Sequence, residues 1–152
     1  MTFRTVEALG PPAFRLEMFQ LWVHGRQFPD AEDRWDGNWL NVSAHCGHAG
    51  ASVWATGAIL DTIGLLRFRE ELERLHQTLT GEAVLKSHEP NLEVRVAVAD
   101  KAGHLLVRVE ITPDHLGQGH WFEFDVDQSY LPATVVQLKS ILVAFPLKGM
   151  NA

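Results

Sequence analysis

Residues 61–81 read DTIGLLRFREELERLHQTLTG, and their periodicity separates two halves of the chain that otherwise look like strands. Leu65, Phe68, Leu72, Leu75 and Leu79 follow one another at intervals of 3, 4, 3 and 4, which puts them on one stripe of an α-helix. Arg67, Arg69, Glu70, Glu71, Glu73 and Arg74 fall on the opposite side and face water. Asp61 is placed to cap the first turn, and Gly81 to stop the last.

Outward from this helix the period drops to two. Upstream, Phe14, Leu16, Met18 and Trp22 alternate with polar residues and predict one strand. The stretch 25–37 (GRQFPDAEDRWDG) has the composition of a loop. Strands are predicted at Trp39–Cys46 and Ser52–Ala58, joined as a hairpin through Gly47-His48-Ala49-Gly50. Downstream, Glu82–Ser87 is the least regular strand pattern. Leu92, Val94, Val96 and Val98, then Leu105, Val107, Val109 and Ile111, alternate on either side of Asp100-Lys101-Ala102-Gly103 and predict an antiparallel hairpin. Trp121–Asp127 turns Phe122, Phe124 and Val126 inward and Glu123, Asp125 and Asp127 outward. A second helix is expected from Tyr130 to Phe145, capped by Ser129, with Pro132 in its first turn and Leu131, Val135, Leu138 and Leu142 as its apolar stripe.

The order βββ-α-ββββ-α, with sequential strands joined by tight turns, predicts an α+β fold. The expected architecture is a mostly antiparallel sheet of about six or seven strands, with both amphipathic helices on one face. Residues 1–13, ending in Gly10-Pro11-Pro12, read as an N-terminal arm, and 14–152 as a single α+β domain. No internal repeat or low-complexity tract is visible in the sequence.

With 46% hydrophobic and 21% charged residues, the 152-residue chain has an ordinary globular composition. No apolar run approaches the ~18 residues that span a bilayer, and the N-terminus lacks a secretory pattern. The single cysteine, Cys46, has no internal disulfide partner, which fits a reducing compartment. Cytoplasmic localisation is the expectation. A net charge of −6 argues against nucleic acid as a partner. The acids cluster at Asp30, Glu32, Asp33 and Asp36 and again from Glu110 to Asp127, where no Lys or Arg intervenes between Arg108 and Lys139. Such runs serve either as a solvated surface or as a face that steers a basic partner.

Of the eight histidines, His45 and His48 flank Cys46, but zinc needs three or four converging ligands, and no second half of such a site is present. No metal and no cofactor are therefore expected. Cys46 continues the buried face of Leu40, Val42 and Ala44 and reads as an inert thiol. No Gly-x-Ser-x-Gly elbow, Walker loop or G-x-G-x-x-G occurs. The row Glu123, Asp125, Asp127 could serve acid/base chemistry, hold a cation, or form the solvent face of a strand. Trp35 and Trp39 flank the re-entry of the acidic loop, and Trp121 shares a strand with the carboxylate row. Aromatics beside acids are the composition of a protein-binding patch. The candidate partner-binding residues are thus Asp30, Glu32, Asp33, Trp35, Asp36, Trp39, Trp121, Glu123, Asp125 and Asp127. Two other readings stand beside this one: a small metal-dependent or acid/base enzyme using His45, His48 and the carboxylate row, and a self-associating module that forms a homodimer.

The strings Phe28-Pro29-Asp30 … Trp35-Asp36-Gly37-Asn38-Trp39-Leu40-Asn41-Val42, Glu89-Pro90-Asn91-Leu92 and Phe122-Glu123-Phe124 … Asp127-Gln128-Ser129-Tyr130-Leu131 resemble the WapI-like immunity proteins of bacteria. The resemblance runs from about Leu16 to Phe145. It implies a non-catalytic protein that binds the toxic C-terminal domain of a contact-dependent toxin made in the same cell. Such toxin domains are often nucleases with basic active sites, which suits an acidic inhibitor.

Overall fold

Alternating apolar residues form strands throughout, but the chain sorts them into two sheets. The computed structural model describes residues 6–150. Its first half comprises β1 (Phe14–Leu16), β2 (Phe19–Arg26), β3 (Trp39–His48), β4 (Ala51–Asp61) and α1 (Thr62–Thr78). The second comprises β5 (Glu82–Lys86), β6 (Leu92–Val98), β7 (His104–Ile111), β8 (Trp121–Asp127) and α2 (Leu131–Ala144). Each half is a four-stranded antiparallel meander, ordered β1-β2-β3-β4 and β5-β6-β7-β8, followed by a helix. The fold is α+β and antiparallel, as read, but the single sheet of six or seven strands is replaced by two sheets of four. The physical reason lies at α1. It carries the chain away from β4, so β5 starts a new sheet instead of extending the old one. The repeated order ββββα was invisible in the sequence.

The stretch read as one strand from Phe14 to Trp22 is a hairpin. Glu17 turns the chain at φ 50, and Phe14 pairs with Leu21 across the turn. Neither Gly nor Asn marks this turn; side-chain hydrogen bonds hold it instead. The Glu17 N–H donates to the Tyr130 hydroxyl at 3.0 Å, and Arg15 Nε donates to the Glu17 carbonyl at 2.9 Å. The next hairpin is tighter than predicted, turning at Ala49 (φ 51) and Gly50 (φ 89) alone. Successive positive φ values are what a two-residue hairpin requires.

The Asp61 carboxylate accepts the Gly64 N–H at 2.7 Å and caps α1, as expected. At the other end Leu79, not Gly81, is the cap. It adopts φ 52, ψ 37 and donates its N–H to the Leu75 carbonyl, which removes it from the buried stripe. Ser129 does not cap α2. Asp127 accepts the Ser129 N–H at 3.0 Å and caps a short 3-10 turn, Gln128–Tyr130, that leads into the helix. Ile141 rather than Leu142 completes the buried face of α2, with Thr134 also buried.

The core is one cluster that joins both sheets and both helices. Strand β3 approaches β7 and β8 directly, and β4 approaches β7. The two helices therefore do not share one face of one sheet. Instead α1 packs mainly on α2 and β5, and α2 on α1 and β1. Each helix thus covers the first strand of the other half. It also occupies that strand's open edge: Val84 N–H of β5 donates to Glu71 of α1 at 3.2 Å, and Arg15 N–H of β1 donates to Gln137 of α2 at 2.9 Å. Unpaired edge amides invite intermolecular pairing, so both edges are protected the same way. No described helix is long and apolar enough to cross a membrane. Of the N-terminal arm, residues 1–5 lie outside the described residues; further along, Gly10 accepts the Trp22 indole N–H at 3.0 Å.

Candidate functional site

The loop between β2 and β3 is held in one shape by its own polar groups. Asn38 is buried. Its amide nitrogen donates to the carbonyls of Arg34 (2.9 Å) and Lys148 (3.0 Å), and its oxygen accepts from Lys148 N–H (2.9 Å) and the Thr62 hydroxyl (2.8 Å). Arg26 donates to the carbonyls of Gly37 (2.6 Å) and Pro146. A side chain at Gly37 would place Cβ 2.4 Å from the Asp33 carbonyl, so only glycine fits.

Two of the four acids in this loop serve its fold. Asp33 accepts the N–H groups of Trp35 (3.1 Å) and Asp36 (3.0 Å), and the Asp36 bond in particular holds its carboxyl below the usual carboxylate range. Glu32 faces Lys148 Nζ at 3.4 Å. Asp30 and Asp36 are exposed. Trp35 is 76% exposed, while Trp39 is half-buried with its ring 4.6 Å from that of His88.

The second group of predicted residues lies on the outer face of the second sheet, where the hairpin register brings bases among the acids. Arg108 stands opposite both Arg95 and Glu123. Its guanidinium donates to Glu123 (2.8 Å) and Glu110 (3.3 Å) and lies 4.6 Å over the Trp121 ring. Arg95 pairs with Glu82 and, at 3.4 Å, with Glu93. Of the predicted carboxylate row, Glu123 is thus paired with an arginine. Reading the charges along the chain missed this, because the partners of Glu123 come from the neighbouring strand. Asp127 is committed to its turn, and the Ser129 bonds lower its pKa. Asp125 is exposed opposite Leu106, itself 39% exposed. The face still carries more acid than base: Glu82, Glu93, Glu110, Glu123, Asp125 and Asp127 against Lys86, Arg95 and Arg108.

One row of this face connects the two groups. Trp121 stands opposite Glu110, Glu110 opposite Glu93, and Glu93 opposite Lys86, three strand spacings or roughly 14 Å. Lys86 in turn lines a cleft of about 350 Å³ at the start of α1, together with Arg34, Trp35, Trp39, Arg67 and His88. The loop and the strand face are thus the ends of one strip. The sequence reading named the tryptophans at both ends and none of the cations between them.

The residues of the enzyme reading do not converge. His45 is buried on the outer face of the first sheet, its ring nitrogens bonded to Gln20 (2.9 Å) and the Ser52 hydroxyl (2.7 Å), beside Trp54. His48 is exposed at the hairpin end, and the carboxylate row belongs to the other sheet. Cys46 is fully buried, and burial pushes its thiol up to about 12. Among the described residues no group of three or more His, Cys, Asp and Glu side chains is arranged to hold a metal.

No curated protein sequence matches the chain. The family model described as the immunity protein WapI-like family matches residues 15–146, which takes in both sheets and both helices. The chain belongs to the WapI-like immunity protein family.

Proposed function

We propose that the protein is a non-catalytic cytoplasmic inhibitor that neutralises a cognate toxin domain by stoichiometric binding. The strip from Trp35 and Trp39 through Lys86 to Trp121 is its contact surface. Family membership supports the immunity role. The observation that carries the choice of surface is Trp121, 59% exposed under the Arg108 guanidinium on a sheet face where apolar residues normally turn inward. Tryptophan and arginine are the residue types that most often anchor protein interfaces. The acidic excess around them, with Asp125, Asp30 and Asp36 exposed, accelerates encounter with a basic partner.

The test is co-expression with toxin domains encoded beside this chain, scored by survival, and titration of toxin activity with purified protein. Inhibition should reach its end point near one equivalent of inhibitor per toxin, and Trp121→Ala should weaken it. Protection at a small fraction of an equivalent would instead show a catalytic mode of action. If no neighbouring toxin is neutralised, the immunity role falls.

A further inference from the structure

Most of the described lysines and arginines in this acidic chain are engaged. Arg15, Arg26 and Lys148 donate to carbonyls, and Arg69, Arg95, Arg108 and Lys139 face carboxylates. Among the described residues, Arg34, Arg67, Arg74, Lys86 and Lys101 have neither kind of partner. Three of these, Arg34, Arg67 and Lys86, border one cleft at the start of α1. Three cations without a direct ion pair around one cleft are unexpected in a protein of net charge −6. The first lobe of the cleft carries the Asp61 carboxylate, with one oxygen on the Gly64 N–H and the other 2.9 Å from His88.

The cleft continues into a second lobe of about 250 Å³. Gly64, Arg67 and Lys86 line both lobes, while Arg34 lines only the first, and Val84 of β5 and Glu71, whose carboxylate accepts the Val84 N–H at 3.2 Å, line only the second. The cations are therefore strung along a trough, not gathered around one point. Asp61 already takes the Gly64 amide, so recognition rests on the side chains. A compact anion would use one lobe; an extended chain with carboxylates at intervals would use both. At the mouth, Trp35 lies exposed beside the Arg34 guanidinium (5.7 Å), and Trp39 packs on His88. These rings offer apolar surface to a neighbouring side chain of the same segment.

We propose that this trough binds an acidic peptide segment of the partner protein, with its carboxylates on Arg67 and Lys86 and an apolar side chain against Trp35. The inference rests on the reading that the chain binds a protein. It adds that the partner presents two charges: a basic surface to the second sheet and an acidic segment to the trough.

The probe is a fluorescein-labelled glutamate-rich peptide carrying one phenylalanine, followed by anisotropy against the intact chain at low salt. Binding should saturate, and the double variant Arg67→Glu/Lys86→Glu should weaken it about tenfold or more. Arg74→Glu, which reverses an unpartnered cation outside the trough, should change it less than about twofold, as an exposed charge making no direct contact should. A lysine-rich peptide of the same layout should bind the reversed variant instead. Circular dichroism checks the fold, and Arg67→Gln/Lys86→Gln provides a milder pair. The proposal is overturned by absence of saturation, by an equal loss with Arg74→Glu, or by displacement with millimolar inorganic phosphate or adenosine monophosphate, which would mark a small-anion site. Full toxin protection by the reversed variant, alongside loss of protection by Trp121→Ala, would overturn the trough while leaving the immunity role intact.

Discussion

Asn38 joins three distant parts of the chain through one amide: the loop at Arg34, the start of α1 at Thr62 and the C-terminal segment at Lys148. Replacing it with alanine leaves several buried donors and acceptors unmatched. Asn38→Ala should therefore cost at least about 1–3 kcal/mol in urea unfolding, and Trp35 fluorescence should report a loosened loop. His45 makes a second test. Burial holds its pKa below the ordinary 6.5, so the folded chain keeps it neutral. As pH falls through about 6.5 the unfolded chain takes up the proton first, and stability drops until the folded pKa is passed. The melting temperature should thus fall between about pH 7.5 and 5.5, and by less in His45→Gln, which removes the titrating group. An equal fall in both would show that His45 contributes nothing. The tryptophans at the two ends of the strip were legible from composition, because large exposed aromatics beside acids stand out. Asp33 and Asp127, read as steering charges, also have a local structural role that the sequence reading did not name. Both are turn carboxylates that accept a backbone N–H two residues on, a short-range habit of aspartate that the charge pattern hid.

Both helices and β3 to β8 left a periodic trace in the sequence, β1 and β2 were read as one strand, and the other errors fell where periodicity carries no information. Alternation shows which residues turn inward but not which sheet a strand joins, so β4 and β5 could not be told apart as members of separate sheets. The β1–β2 turn escaped notice because Tyr130 and Arg15 hold it in place of a local Gly or Asn signal. The stripe of α1 was read correctly up to Leu75. Leu72 is fully buried, and Leu72→Ala should destabilise the chain by about 2–5 kcal/mol in denaturant titration. Leu79→Ala should cost clearly less, because the residue sits at the left-handed cap and is only half-buried. Equal losses would place Leu79 in the core after all.

Charge acts over the whole molecule. Glu123 is paired with Arg108, so steering depends on the summed field more than on any one carboxylate. Association with a basic toxin should slow as salt rises from about 0.05 to 0.5 M, with dissociation changing much less. Stopped-flow rates check this, and a salt-independent association rate would mean the acidic excess has no part in encounter. The strip itself was only half legible, since its cations come from the loop, α1 and β5 and meet only in three dimensions.

The exchanged helices have a further consequence, for fragments of the chain. A break in the short connection around Thr80 would leave two pieces, each with its own meander and each holding the helix that covers the other's first strand. Alone, either piece would expose an apolar sheet face and an open strand edge. Together, each supplies what the other lacks. Co-expressed fragments 1–79 and 80–152 should therefore reassemble into a soluble pair, whereas either alone should aggregate, as gel filtration would show. The chain would then work as a two-part complementing system whose halves report on each other's presence.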